Sequence, residues 1–166
     1  MEFDLGNSPR EYTHQRVAGR IIVSTTTNGT RALRACVTAK SVAVASFLNL
    51  SATADWLAQQ QPPHVFLVCA GTAEFPALED ILAAGALCEL LVSKHERGEL
   101  LDSAETAARV YREARPDLFG AISRSQNGRR LMANAELRDD VEYCLRRDAC
   151  RLVALLGADG MVRRSG

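Results

Sequence analysis

The chain of 166 residues has no excess of either charge, since 20 Lys and Arg balance 20 Asp and Glu. That balance removes the electrostatic case for nucleic acid or an acidic membrane surface as partner, because both are met by an excess of cations. C-x-x-C pairing is absent from the five cysteines, Cys36, Cys69, Cys88, Cys144 and Cys150, and their number is odd. Neither a zinc site nor a disulfide scaffold is therefore indicated, and the thiols are expected to be reduced and mostly buried. No stretch reaches the roughly 20 apolar residues of a membrane span. The opening MEFDLGNSPREYT also lacks the charged and apolar regions of a signal peptide. A cytoplasmic protein is the expectation. The phosphate-binding Walker pattern and G-x-G-x-x-G are both missing, which counts against nucleotide hydrolysis and dinucleotide binding. Internal repeats and low-complexity linkers are missing too, so residues 1–166 are expected to form a single α/β domain, with 47% hydrophobic content to supply its core.

What the sequence does contain is an alternation of short apolar runs with helical patterns. RIIVS (20–24), SVAVAS (41–46) and HVFLVCA (64–70) read as strands, and helices are expected over about 29–39 and 50–60. The runs are continuously apolar, as when helices cover both faces of a sheet. The predicted fold class is therefore α/β, with a parallel or mostly parallel sheet in a three-layer α/β/α arrangement. Pro62-Pro63 ends the second of these helices. The second half is helix-rich. Helical spacing runs across 77–94 with Gly85 at a close contact to the sheet, and Asp102 followed by Glu105 resembles a capping box. Another amphipathic helix carries Leu137, Val141, Cys144 and Leu145; RLVALLG (151–157) reads as a last strand and ADGMVRR as a turn with a short tail.

In parallel α/β sheets, ligands bind outside the carboxyl ends of the strands. STTTNGT, SFLN and CAGTAEFPALED would converge at that edge. Asn28-Gly29 is a strong hairpin signal, but a helical pattern follows it, which turns the stretch into a strand-to-helix loop. There Thr26, Thr27, Asn28, Gly29 and Thr30 could grip an oxyanion at a helix N-terminus; the same hydroxyls also serve as ordinary caps. Gly71 lets the backbone turn after the third run, and Asn49 comes from the second. Glu79 and Asp80, in the first turn of a helix, are favoured there by the helix dipole. They are also the candidate ligands of Mg²⁺, a hard cation that takes oxygen donors. Neighbours on a helix diverge by about 100°, so one of the two would bind the ion directly. Upstream, EFDLGNSPREY offers Asp4, Asn7, Ser8 and Glu11, a segment that in isolation would fray. His14, His64 and His95 show no partner spacing, and Arg124, Arg129 and Arg130 read as a solvated face or as guanidinium donors to an anion.

FDLGNSPREY, TTTNGTRAL, SFLN, CAGTAEFPALEDILAAGAL and NGRRL…DDVEYC stand in an order and spacing that resembles the 2-phosphosulfolactate phosphatase family, often called ComB. The resemblance spans residues 3 to about 156. It implies an α/β protein that hydrolyses 2-phosphosulfolactate to sulfolactate with Mg²⁺, a reaction of coenzyme M biosynthesis. The substrate would be a small anionic phosphate ester, with Arg31 a candidate partner for its second anion. Asp4, Asn28 and Glu79 are the candidate catalytic residues. The family pattern includes an N-terminal portion ahead of FDLGNSP, so the chain is expected to be the C-terminal part of such a protein. A shortened sheet would expose a strand edge, and self-association into a homo-oligomer is expected. The alternatives are a catalytically inactive binding or assembly module on the same fold, or a related phosphatase with another substrate.

Overall fold

The computed structural model describes residues 3–94 and 99–165, which leaves His95 outside the described residues. Helices dominate it: α1 (His14–Val17), α2 (Gly29–Ala35), α3 (Leu50–Gln60), α4 (Leu78–Lys94), α5 (Asp102–Ala114), α6 (Leu118–Ser123), α7 (Gln126–Ala133) and α8 (Arg138–Cys144). The strands are β1 (Ala43–Val44), β2 (Val153–Leu156) and β3 (Val162–Ser165), in spatial order β1-β2-β3. Both pairings are antiparallel, with Ala43 opposite Leu155 and Val153 opposite Ser165.

The expected parallel three-layer sheet is thus overturned: the chain is helix-rich around a small antiparallel sheet. Of the three runs read as parallel strands, only residues 43–44 pair, and they pair with β2. Residues 20–24 and 64–70 carry no strand among the described residues. An apolar run specifies that a segment needs covering, but the neighbour that supplies its hydrogen-bond ladder is a non-local matter. Here Ile21, Val23, Phe66 and Val68 stand 78%, 90%, 83% and 57% exposed. The tail ADGMVRR also departs from expectation. Gly160, at φ 78°, turns the chain back so that Arg163 and Arg164 pair across β2 as β3.

The long helices follow their sequence periodicity closely. α3 and α4 occupy 50–60 and 78–94 because apolar residues recur there at helical spacing, and Gln61, in the left-handed region, ends α3 just before the prolines. α4 is the centre of the core. Leu82, Ala86 and Leu87 from α4 pack with Leu50 and Ala54 of α3, Tyr111 of α5, Ile122 of α6 and Val141 of α8. Gly85 marks a close approach to a helix rather than to a sheet, since a Cβ there would collide with the Ala107 carbonyl of α5. Asp102 does not cap α5; Leu101 holds that position, and Glu105 instead takes Arg109 and Arg112 at 2.7 and 3.1 Å. Of the cysteines only Cys88 is buried, while Cys69 and Cys144 are exposed, which corrects the expectation of mostly buried thiols. Cys69 lies in the unpaired run 64–70 and Cys144 ends α8.

The N-terminal segment is not frayed. Ser8, itself buried, donates to Asp140 Oδ1 at 2.8 Å, and Arg10 Nε donates to the same oxygen at 2.6 Å. Among the described residues no helix is long and apolar enough to cross a membrane.

Candidate functional site

Three segments distant in sequence meet at the N-terminal end of α4. In the turn before it, Gly71 adopts φ 70° and Ala73 φ 53°, while Thr72 and Phe75 exchange backbone hydrogen bonds at 2.9 and 3.1 Å. A Cβ on Gly71 would lie 2.7 Å from the Phe75 carbonyl oxygen, so both conformation and space call for glycine. Asp80 locks this turn to the helix: its Oδ2 accepts from the Gly71 N–H at 2.7 Å. Burial pushes the Asp80 carboxyl above its ordinary range; the N–H groups of Gly71 and Ala70 pull it down, and the charge of Glu79 pushes it up.

The second segment is the loop into α2. Asn28 Oδ1 accepts from the Ala73 N–H at 3.3 Å, which ties loop 26–30 to the turn 71–75. Within the loop, Thr26 Oγ1 accepts from the Thr30 N–H at 3.1 Å, and the Thr30 hydroxyl donates to the Thr26 carbonyl at 2.6 Å. Thr26 therefore acts as a hydroxyl cap of α2. Thr27 is exposed on the same loop, Gly29 opens the helix, and Arg31 is exposed in its first turn.

The third segment is α7. Asn127 Nδ2 donates to Thr72 Oγ1 and to Glu79 Oε1, both at 2.6 Å. Ser125 caps α7 by accepting from the Gly128 N–H at 3.0 Å, and a Cβ on Gly128 would collide with the Ile122 carbonyl of α6. That close packing fixes where Asn127 can reach. Glu79 Oε2 is left buried with no hydrogen-bond partner. A buried carboxylate oxygen without a donor is costly.

Asn28, Gly71, Glu79 and Asp80 are thus brought together, with Thr26 and Thr27 of the loop and Gly29, Thr30 and Arg31 of the first turn of α2 alongside. Asn49 and Asp4 are not. Asn49 sits at the start of α3, where its side-chain amide donates to Val44 O and Leu152 O at 3.1 and 3.3 Å and its Oδ1 accepts from Ser46 N–H at 2.9 Å. Asp4 is exposed in the segment docked on α8, and its carbonyl accepts from Arg16. Asn127 and Thr72 are the members that sequence reasoning missed. In SRSQNGRRL the arginines drew attention, yet the signal was the Asn-Gly step in the first turn of a helix. Among the described residues no group of three or more His, Cys, Asp and Glu could hold a metal ion. A groove of about 560 Å³, bordered by Leu78, Arg109, Glu113 and Arg124, lies beside the start of α4 but includes none of the cluster's polar residues.

A family model described as 2-phosphosulpholactate phosphatase matches residues 1–158, which include all three segments of the cluster. The chain belongs to that family. Its relatives within the 2-phosphosulpholactate phosphatase family include three proteins named probable 2-phosphosulfolactate phosphatase. That of Clostridium acetobutylicum is 34% identical over 151 residues, 91% of this chain and 63% of the relative. That of Thermotoga petrophila is 37% identical over 93% of this chain and 64% of the relative. That of Synechococcus sp. strain JA-3-3Ab is 37% identical over 99% of this chain and 68% of the relative. The chain therefore spans about two thirds of the length of these curated relatives.

Proposed function

We propose that the chain carries the anion-binding loop and the cation-binding carboxylates of a cytoplasmic phosphatase that hydrolyses 2-phosphosulfolactate to sulfolactate and phosphate, the reaction type of coenzyme M biosynthesis. The observation that carries the reading is the buried, unpartnered Oε2 of Glu79 beside half-buried Asp80, with the Asn28 loop bonded to the same turn. Family membership supports the reaction class. The donor set fits Mg²⁺, which is commonly held by one or two carboxylates and completes its shell with water and substrate phosphate. It also fits the local charge, since a cation would relieve the burial and repulsion that raise Asp80. When bound, Mg²⁺ would offset the charge on the phosphoryl oxygens.

The residues of the chain do the rest of the work. Asn28 and Gly29 present donors to phosphate oxygens with Thr27 beside them, while the bonds between Thr30 and Thr26 hold the loop in shape, and such preset donors stabilise charge without reorganising. Gly71 keeps the facing backbone close, and Arg31 meets the second anionic group. The test is phosphate release from 2-phosphosulfolactate by the purified chain with Mg²⁺ and with a chelator. Chelator-sensitive release is expected.

A second reading, a binding or assembly module, is favoured by a different observation. The runs 21–23 and 65–68 expose β-branched and aromatic side chains in unpaired backbone, a template for association with another chain. A folded chain that associates with itself and releases no phosphate would select this reading.

A further inference from the structure

We infer that the unpaired runs 20–24 and 64–70 seat the third of the family's length that lies outside the matched residues, and that this segment docks by adding β-strands to them. Both runs already alternate as strands do. In the second, Leu67 packs against the core, while Phe66 and Val68 on either side of it stand 83% and 57% exposed. In the first, Ile21 and Val23 stand 78% and 90% exposed, with Ile22 less so between them. What they lack is a ladder: among the described residues, 21–24 and 64–69 make no backbone–backbone hydrogen bond. A run without a ladder has two open edges, so a second copy pairing about a two-fold axis would close one edge and leave the others. The relatives point to a larger cover. That of Synechococcus sp. strain JA-3-3Ab matches 99% of this chain, both runs included, and about a third of its length lies outside the match. A segment of that size has room for several strands of about five or six residues. The docking has a consequence that rests on the anion loop proposed above. Residues 20–24 lead into loop 26–30 and residues 64–70 into the turn 71–75, and Asn28 joins the two at 3.3 Å through the Ala73 N–H. Seating the runs therefore fixes both stems of the site.

Hydrogen–deuterium exchange tests the docking on the full chain, alone and with the portion of the Synechococcus relative outside the match, supplied as a separate polypeptide. Amides at 21–24 and 64–69 should exchange about tenfold or more slowly once it binds, as backbone does on joining a ladder. Val23→Lys with Phe66→Lys should abolish binding, whereas Leu101→Lys, at an apolar side chain 74% exposed elsewhere, should not. The intact Synechococcus relative supplies a second measurement, since its residues aligned with the two runs should be protected with nothing added. Protection there supports the docking even where the separate polypeptide fails to fold, and fast exchange there overturns it. Equal protection on concentrating the chain alone overturns it too, because a second copy is then the occupant. Titration with inorganic phosphate tests the consequence, and tighter binding with the segment present is expected. Equal affinity overturns the link to the loops. No phosphate binding in either state overturns the anion loop, while exchange still decides the docking.

Discussion

Replacing Asp80 by asparagine separates the two jobs of that side chain. The Gly71 N–H bond at 2.7 Å survives, because the amide oxygen accepts in place of Oδ2, but it becomes a neutral bond and loses about 1 kcal/mol. Burial and the neighbouring Glu79 act in the opposite sense by raising the Asp80 carboxyl above its ordinary value near 3.8. A carboxyl raised in the folded state stabilises the fold fully below the unfolded value and loses that contribution as pH rises through the folded one. At neutral pH, without a divalent ion, Asp80 is therefore a strained charge. Asp80→Asn relieves that strain, so the two effects offset and the variant should melt within a few degrees of wild type. Mg²⁺ breaks the balance. At a concentration 100 times the wild-type dissociation constant, binding stabilises by about 2.7 kcal/mol. For a chain of 166 residues that is a rise of about 5–10 °C in Tm. If the variant binds about tenfold or more weakly, the same concentration yields about 1.4 kcal/mol or less, a rise of no more than about 3–5 °C. The single tryptophan, Trp56 on α3, reports the melt by fluorescence. Equal shifts in the two proteins, or no shift in wild type, would refute the reasoning.

Three further perturbations probe the frame around the site. Asp148 holds the start of α3 from far along the chain, its two oxygens accepting from the Ser51 N–H and hydroxyl at 2.6 and 2.7 Å, so Asp148→Ala should cost about 1–2 kcal/mol in urea unfolding. Burial pushes the Asp148 carboxyl up, but the bonds from Ser51 and the charge of Arg147 hold it below its ordinary value, so its contribution is present above that value and the two unfolding midpoints should converge as pH falls through the lowered one. Gly128→Ala should displace α7 at about 1–3 kcal/mol and weaken Mg²⁺ binding in calorimetry, since the added Cβ meets the Ile122 carbonyl; unchanged stability would show that the contact is not tight. Sedimentation should show concentration-dependent association that Val23→Thr with Phe66→Ser reduces, because these side chains stand 90% and 83% exposed; a monomer at all concentrations would contradict it.

How far the sequence could be read depended on whether the information was local. Leu78, Ile81, Leu82 and Gly85 announce α4 because helical periodicity is written within one segment, and α3 ends where its prolines require. The runs containing Ile21 and Phe66 carry the same apolar content as paired strands, but pairing is decided by a neighbour, and the parallel sheet drawn from them is not formed. The two loops come together without the sheet edge that was meant to join them. The loops at 26–30 and 71–80 were expected to meet at a parallel-sheet edge, and they meet instead through Asn28 with Ala73 and Asp80 with Gly71. Asn49, assigned to the same edge, went to structural bonds at the start of α3 once the edge was not there. Asn127 was illegible because its role exists only when α7 docks against α6.

The most direct test of the account is the turnover of 2-phosphosulfolactate by Glu79→Gln beside wild type, at saturating Mg²⁺. Glutamine keeps an oxygen for Asn127 to donate to and replaces the unpartnered Oε2 by an amide nitrogen, so the fold, and the melt without Mg²⁺, should be unchanged. The account predicts a fall in kcat of about 100-fold or more, the scale seen when one preset electrostatic contact is lost. Wild-type turnover in a folded Glu79→Gln would contradict it.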